Sequence, residues 1–190
     1  MNKRTLFLVE VAVFAALALI FDFICGIFFS LPQGGSVSIA MVPVFLMAFR
    51  WGVNGGLLTG LLLGMLQIVM TRPFIAHPLQ GFIDYFLAFT VVGLAGIFAN
   101  QIYRHFSNGE KGKGNLFIIL GVLLGSLLRF LCHFYTGIIF FGQYAPENQP
   151  VAIYSLLYNG SYMLPSSILC GVLMVLLYAS ASKVLVRKIV

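Results

Sequence analysis

Four polar side chains interrupt the long apolar runs of this 190-residue chain: Asp84, His133, Tyr154 and Asn159. An ionisable group inside a bilayer is expensive, so each needs a physical reason to be there. Asp84 is followed directly by Tyr85, which sets a carboxylate beside a phenol. A buried carboxylate persists only when it is paired or protonated. Two readings stay open for it: internal pairing with Arg129 or His133, or a cationic ligand that supplies the counter-charge. Arg129 and His133 stand four residues apart, share a helix face, and Arg129 is expected to be structural. Taken alone, His133 reads as a satisfied structural histidine.

Aromatic residues crowd the same stretch: Phe134, Tyr135, Phe140, Phe141, Tyr144, Tyr154, Tyr158 and Tyr162. A belt at the membrane interface accounts for many of them. Tyr154, Tyr158 and Tyr162, however, repeat every four residues, and a stripe of hydroxyls facing lipid is unfavourable. Aromatic faces attract cations and stack on planar rings. A flat, positively charged small molecule would satisfy both the acid and the rings.

Other chemistry is missing from the sequence. The loop Asn108–Gly114 holds glycine and lysine but does not fit the phosphate-binding pattern GxxxxGK[ST], and it follows an apolar helix instead of a strand. No HExxH, GxSxG or paired intramembrane aspartate motif is present, so no enzyme activity, metal or cofactor is expected. Cys25, Cys132 and Cys170 all lie in apolar runs without metal-type spacing and read as packing residues. Glu10 and Asp22 are assigned no role; Glu10 is placed near a membrane surface and Asp22 beside some unidentified base.

These residues need a scaffold, and composition names it. The chain is 61% hydrophobic and 8% charged, with eleven basic and five acidic residues. Soluble domains carry about 25% charged residues, so lipid must solvate much of this surface. Apolar runs fall at about 5–30, 37–50, 53–71, 79–103, 115–140 and 151–182. A crossing takes about 20 helical residues. The first run is too long for a signal peptide, and the second is short enough to need tilt or local thinning. The expectation is an all-α integral membrane protein: one domain over 1–190, a bundle of six transmembrane helices, with both termini cytoplasmic.

Orientation follows from the basic residues. With the N-terminus inside, Lys3, Arg4, Arg50, Arg104, Lys111, Lys113, Lys183, Arg187 and Lys188 are cytoplasmic, and only Arg72 is outside. The net charge of +6 therefore sets topology and does not point to nucleic acid. It also puts Asp84, His133, Tyr154 and Asn159 at one depth, in a pocket of helices four to six that opens to the exterior. Glycines at 52, 56, 60 and 64 form a stripe that favours close packing inside the bundle over a dimer face. Gly121 with Gly125, and Ala12 with Ala16, repeat the small-residue spacing.

The segments Ser38-Ile39-Ala40-Met41-Val42-Pro43, Asp84-Tyr85 with Ala88-Phe89, and His133 through Tyr154 to Tyr158-Asn159-Gly160-Ser161-Tyr162 carry a resemblance across nearly the whole chain. It resembles the thiamine-specific substrate-binding (S) components of energy-coupling factor (ECF) transporters, the ThiT or YuaJ family. The resemblance implies a multi-pass cell-membrane protein that binds thiamine in an outward pocket and performs no chemistry. ATP is then hydrolysed by partners, two ATPase subunits joined to a transmembrane coupling protein. It implies ligand roles for Asp84, Tyr85, His133, Tyr154 and Asn159, and contact with the coupling protein for Ala12 and Ala16. Two departures stand out. Asp84 replaces the glutamate common in the family and is one methylene shorter. The only tryptophan, Trp51, lies far from the site, so Phe141 is assigned a stacking role. Competing expectations are a pyrimidine precursor or another vitamin as ligand, a membrane enzyme using Asp84 and His133 as an acid–base pair, and a small self-sufficient transporter.

Overall fold

The computed structural model describes residues 2–71 and 73–186, and these form six helices. They are α1 (Lys3–Phe29), α2 (Met41–Trp51), α3 (Val53–Met70), α4 (Pro78–Ser107), α5 (Lys111–Phe140) and α6 (Val151–Leu185). All except α2 are long and apolar enough to cross a membrane. Leu8, Val13, Phe23, Leu123, Leu164 and Leu176 are among the large apolar side chains left exposed, as a lipid-solvated surface requires.

The start of α1 and the ends of α2 and α6 meet at one end of the bundle. There Arg50 forks onto both Glu10 carboxylate oxygens (2.8 and 2.9 Å) and donates to the Val184 carbonyl (2.6 Å). Trp51 Nε1 donates to Glu10 as well. Glu10, given no role from sequence, thus fastens α1 to the α2–α3 corner. Arg104, Lys111, Lys113 and Lys183 share this basic end through the α4–α5 turn and the close of α6. Arg72, Arg187 and Lys188, which also entered the orientation argument, lie outside the described residues. At the α4–α5 turn His105 and Lys113 contact Glu110 and hold its carboxyl below the usual range.

The short second run is resolved differently from the expected tilt or thinning. At 1.5 Å per residue, eleven helical residues reach only about 16 Å, and residues Met41 to Phe49 are all buried. Its neighbours enclose α2, so it has no lipid thickness to match. The extended backbone leading into it is also satisfied within protein. Ser38 N–H donates to Ser166 Oγ (3.0 Å), Ala40 N–H to Ser38 Oγ (3.1 Å) and Val42 N–H to the Ile39 carbonyl (3.0 Å). Non-helical backbone at membrane depth is tolerated only under such cover.

Lipid tails are as apolar as leucine, so packing contacts, not the hydrophobic effect, hold the helices together. The glycine stripe of α3 supplies the closest approach, and it is internal. A Cβ at Gly56 would lie 2.5 Å from Gly93 Cα, at Gly60 2.1 Å from the Phe89 oxygen, and at Gly64 2.0 Å from the Tyr85 oxygen. Each glycine therefore seats one turn of α4 directly on α3. Gly121 and Gly125 act otherwise: their missing side chains make room for the rings of Phe49 and Phe45 from buried α2.

Candidate functional site

The end opposite the basic one contains a cavity of about 740 Å³, open mouth included. Asp84, Tyr85, His133, Phe141, Tyr154 and Asn159 all line it. The expected walls of α4, α5 and α6 are incomplete, however. Asp22 from α1, Gln67 from α3 and residues 33–36 of the α1–α2 connection also line the cavity. Polar residues in apolar runs were the available signal for Asp22 and Gln67; no local pattern marks the connection.

Asp84 sits where α4 widens. Over Phe82–Leu87 the helix makes a π turn, and the Ala88 N–H reaches back five residues to the Ile83 carbonyl. Such turns tend to occur at functional sites. Gly64 seats the Tyr85 carbonyl at this turn, so the α3–α4 contact fixes the pair that lines the cavity.

The Asp84 carboxylate is buried and well satisfied. Oδ1 accepts from Thr136 Oγ1 (2.7 Å) and pairs with His133 Nδ1 (2.9 Å), while Oδ2 accepts from Gln80 Nε2 (2.6 Å). Arg129 Nε donates to His133 Nε2 (3.3 Å). An arginine Nε–H can only donate, so His133 Nε2 must accept and the ring proton belongs on Nδ1, facing Asp84. The result is a chain of cation, neutral imidazole and carboxylate. Arg129 is buried, with its guanidinium 4.2 Å from the centroid of the Phe89 ring. The internal-pairing reading of Asp84 therefore holds, with both candidate partners in series. Gln80 and Thr136 went unnoticed in the sequence, although one lies four residues before Asp84 and the other three after His133, the spacings of shared helix faces.

Asn159 is largely occupied by structure. Its Nδ2 donates to the His133 carbonyl (3.2 Å) and the Ser155 carbonyl (2.9 Å), and its Oδ1 accepts from Tyr162 (2.6 Å). It ties α5 to α6 and aims the tyrosine ladder. In that ladder Tyr154 stacks on Tyr158 (5.8 Å), Tyr158 meets Tyr162 edge-on (5.9 Å), and Tyr162 meets His133 (6.3 Å). Across the cavity Phe141 packs with Phe74 (5.9 Å) and Tyr144 (6.2 Å). The connection is held over the mouth by Tyr158, whose hydroxyl donates to the Pro32 carbonyl and accepts from Gly35 N–H. Gly34 adopts φ of +96°, a conformation that favours glycine.

Among the described residues Asp22 has no base bonded to it, contrary to expectation. Its Oδ1 accepts from Ser38 Oγ (2.9 Å) and its Oδ2 from Gln67 Nε2 (2.6 Å), both neutral groups. Among the described residues no cluster of histidine, cysteine and acids suited to a metal occurs.

The family model described as Thiamine transporter protein (Thia_YuaJ) matches residues 8–186. The chain belongs to this family. Thiamine transporter ThiT of Bacillus subtilis is 45% identical over 184 residues, covering 97% of this chain and 96% of the relative. That of Lacticaseibacillus paracasei is 29% identical over 195 residues, covering 98% and 94%. A solved ThiT from Listeria monocytogenes superposes with a TM-score of 0.91 at 27% identity, covering 98% of this chain and all of that one. The S component of a bacterial ECF transporter shares the fold, with a TM-score of 0.64 at 16% identity over 97% of this chain and all of that one. Family membership thus agrees with the six-helix membrane bundle and with the resemblance carried by the Asp84, His133 and Tyr158–Tyr162 segments.

Proposed function

We propose that this chain is the thiamine-binding S component of an ECF transporter, holding the vitamin in the cavity without altering it. The observation that carries the proposal is the convergence of Asp84, Tyr85, His133, Phe141, Tyr154 and Asn159 on one cavity in a member of the thiamine transporter family. An ionised carboxylate has about four acceptor positions, and three at Asp84 are filled from within. The fourth, on Oδ2, is suited to an N–H of the aminopyrimidine. The Tyr154 hydroxyl and the second lone pair of Asn159 Oδ1 are candidates for the rest of that ring, and Phe141 with the tyrosine ladder supplies the faces. With the basic end cytoplasmic, the cavity opens outward. Uptake then depends on ATP hydrolysed by two ATPase subunits, coupled through a transmembrane partner that docks on the exposed Ala12 and Ala16.

Titration calorimetry of the purified full-length protein with thiamine, and separately with its free pyrimidine alcohol, tests the reading. Saturable binding of one thiamine, tighter than that of the pyrimidine, is expected. Tighter binding of the pyrimidine would reassign the ligand, and no heat with either compound would remove the thiamine reading.

A further inference from the structure

We infer that Asp22, backed by Gln67, is the counter-ion site for the positively charged end of the ligand, while Asp84 serves its hydrogen-bonding end. The inference rests on the thiamine reading above and assigns the two ends of the molecule to two carboxylates on different helices.

The charges lining the cavity lead to it. Among the described residues, three formally charged ones line the space: Asp22, Asp84 and Arg129. Arg129 is connected to Asp84 through His133, which the donor on Arg129 keeps neutral. One positive and one negative charge are thereby matched. Asp22 is left with a hydroxyl and an amide as partners, and it enters no ion pair among the described residues. The described residues of the cavity thus carry one uncompensated negative charge, in surroundings where such a charge strongly favours a cation.

Gln67 gives a second, independent indication. A carboxylate only accepts, so the side of the Gln67 amide facing Asp22 must be the NH₂. Its Oε1 therefore points away from Asp22, and it is buried with no hydrogen-bond partner among the described residues. Gln67 is 3% exposed and lines the same cavity. An unmade bond at a buried carbonyl is costly. This corner consequently offers a carboxylate and a vacant amide carbonyl, and little to attract an anion: Ser38 Oγ already donates to Asp22, the Ser38 N–H to Ser166, and the second N–H of the Gln67 amide stands beside the Asp22 charge. Such a surface rejects anions and accepts a cation that carries a hydroxyl. The thiazolium ring bears a permanent positive charge and a hydroxyethyl arm. The charge suits Asp22 and the arm's O–H suits Gln67 Oε1. The aminopyrimidine, neutral and rich in N–H and ring nitrogen, suits the Asp84 side.

The test compares thiamine with its neutral thiophene isostere, in which the ring has the same shape without the charge. Binding of both is measured for the full-length protein and for Asp22→Asn. The asparagine retains an acceptor for Ser38 and, with the Gln67 amide turned, a bond to Gln67, so the fold should persist. Asp22→Asn should weaken thiamine by about tenfold to a hundredfold and the isostere by less than about threefold. The double variant Asp22→Asn with Gln67→Glu moves the carboxylate across the same hydrogen bond and should restore the preference for the charged ligand. Equal losses for both compounds, or no loss for thiamine, would overturn the counter-ion role. So would a failure of the double variant to recover the preference while it remains folded by thermal melting. A wild-type protein that binds neither compound overturns the thiamine reading first, and the counter-ion role with it. Wild-type binding of both with equal affinity overturns the counter-ion role alone.

Discussion

Replacing Asp84 by asparagine tests the site and the bundle together, and the geometry separates the two effects. The carbonyl of the new amide would take the place of Oδ1, which receives both Thr136 and His133. Its NH₂ would then face Gln80 Nε2, donor against donor. Gln80 cannot turn freely, because its Oε1 accepts the Ala76 N–H at 2.9 Å. One charge-assisted hydrogen bond disappears, a loss of about 1.5–3 kcal/mol. The Arg129 charge also loses its distal partner, and breaking a buried pair from one side costs about 3–5 kcal/mol. The melting temperature in detergent should fall clearly, with the protein still folded at low temperature. Thiamine meets a donor where Oδ2 had accepted, which removes a further bond of about 1.5–3 kcal/mol, or roughly tenfold to 150-fold in Kd. Calorimetry well below the melting transition reads the second number, and thermal unfolding reads the first. An unchanged Kd in folded protein would confine Asp84 to the pairing with His133 and Arg129. An unchanged melting temperature would refute the three-membered chain itself.

Asn159→Ala should lower the melting temperature and weaken thiamine, because the amide both ties α5 to α6 and orients Tyr162; loss of binding without loss of stability would make it a ligand contact only. Gly60→Leu should open the α3–α4 contact, lowering both stability and affinity, whereas Gly160→Ala, with nothing within 4 Å of its added Cβ, should do neither. In a background without native cysteines, Ser107→Cys should be labelled only from the cytoplasm and Glu147→Cys only from outside; the reverse pattern overturns the orientation. Position 147 is chosen because its neighbour Asn148 has φ of +70°, which cysteine tolerates poorly. Ala12→Trp with Ala16→Trp should leave thiamine affinity within about threefold and abolish ATP-dependent uptake in liposomes; normal uptake would return the strip to internal packing.

The long helices and the inward glycine stripe were legible because bilayer thickness and close packing leave clear marks on spacing. Of the six expected residues now found around the cavity, the expense of polar groups in lipid singled out Asp84, His133, Tyr154 and Asn159, whereas Tyr85 followed from its place beside the acid and Phe141 from the family resemblance. The burial of α2 was not legible: eleven apolar residues look alike whether lipid or protein surrounds them, and only the tertiary arrangement tells which. The Asp22–Gln67 pair was hidden for a related reason. Its members are 45 residues apart on helices whose register no local pattern fixes. Position 84 was legible only as an alternative. Its charge left internal pairing and a cationic ligand both open; the protein supplies the pairing through His133 and Arg129, and among the described residues the acid without an ion pair is Asp22.

That reassignment changes how α1 must be understood. Sequence reading set the ligand on helices four to six and reserved α1 for docking, so the two functions had separate supports. In the structure α1 carries Asp22 toward the cavity and Ala12 and Ala16 on an exposed face. At about 100° per residue, position 22 is turned roughly 80° from position 12 and 120° from position 16. The two functions therefore occupy different faces of one rigid element, six residues apart at the nearest. Independence of binding and docking then requires α1 to hold still when its outer face is altered. The Glu10–Arg50 fork at one end and the Asp22–Gln67 and Asp22–Ser38 bonds nearer the other provide the anchoring. Releasing one anchor should expose the connection. With Asp22 intact, Glu10→Gln removes the charge from the fork while keeping its size. In that background the double tryptophan variant should weaken thiamine as well as docking, whereas Glu10→Gln alone should leave both nearly unchanged. Thiamine affinity that stays constant in the triple variant would show that the two faces of α1 are uncoupled even with the fork weakened, and that its stiffness comes from packing alone.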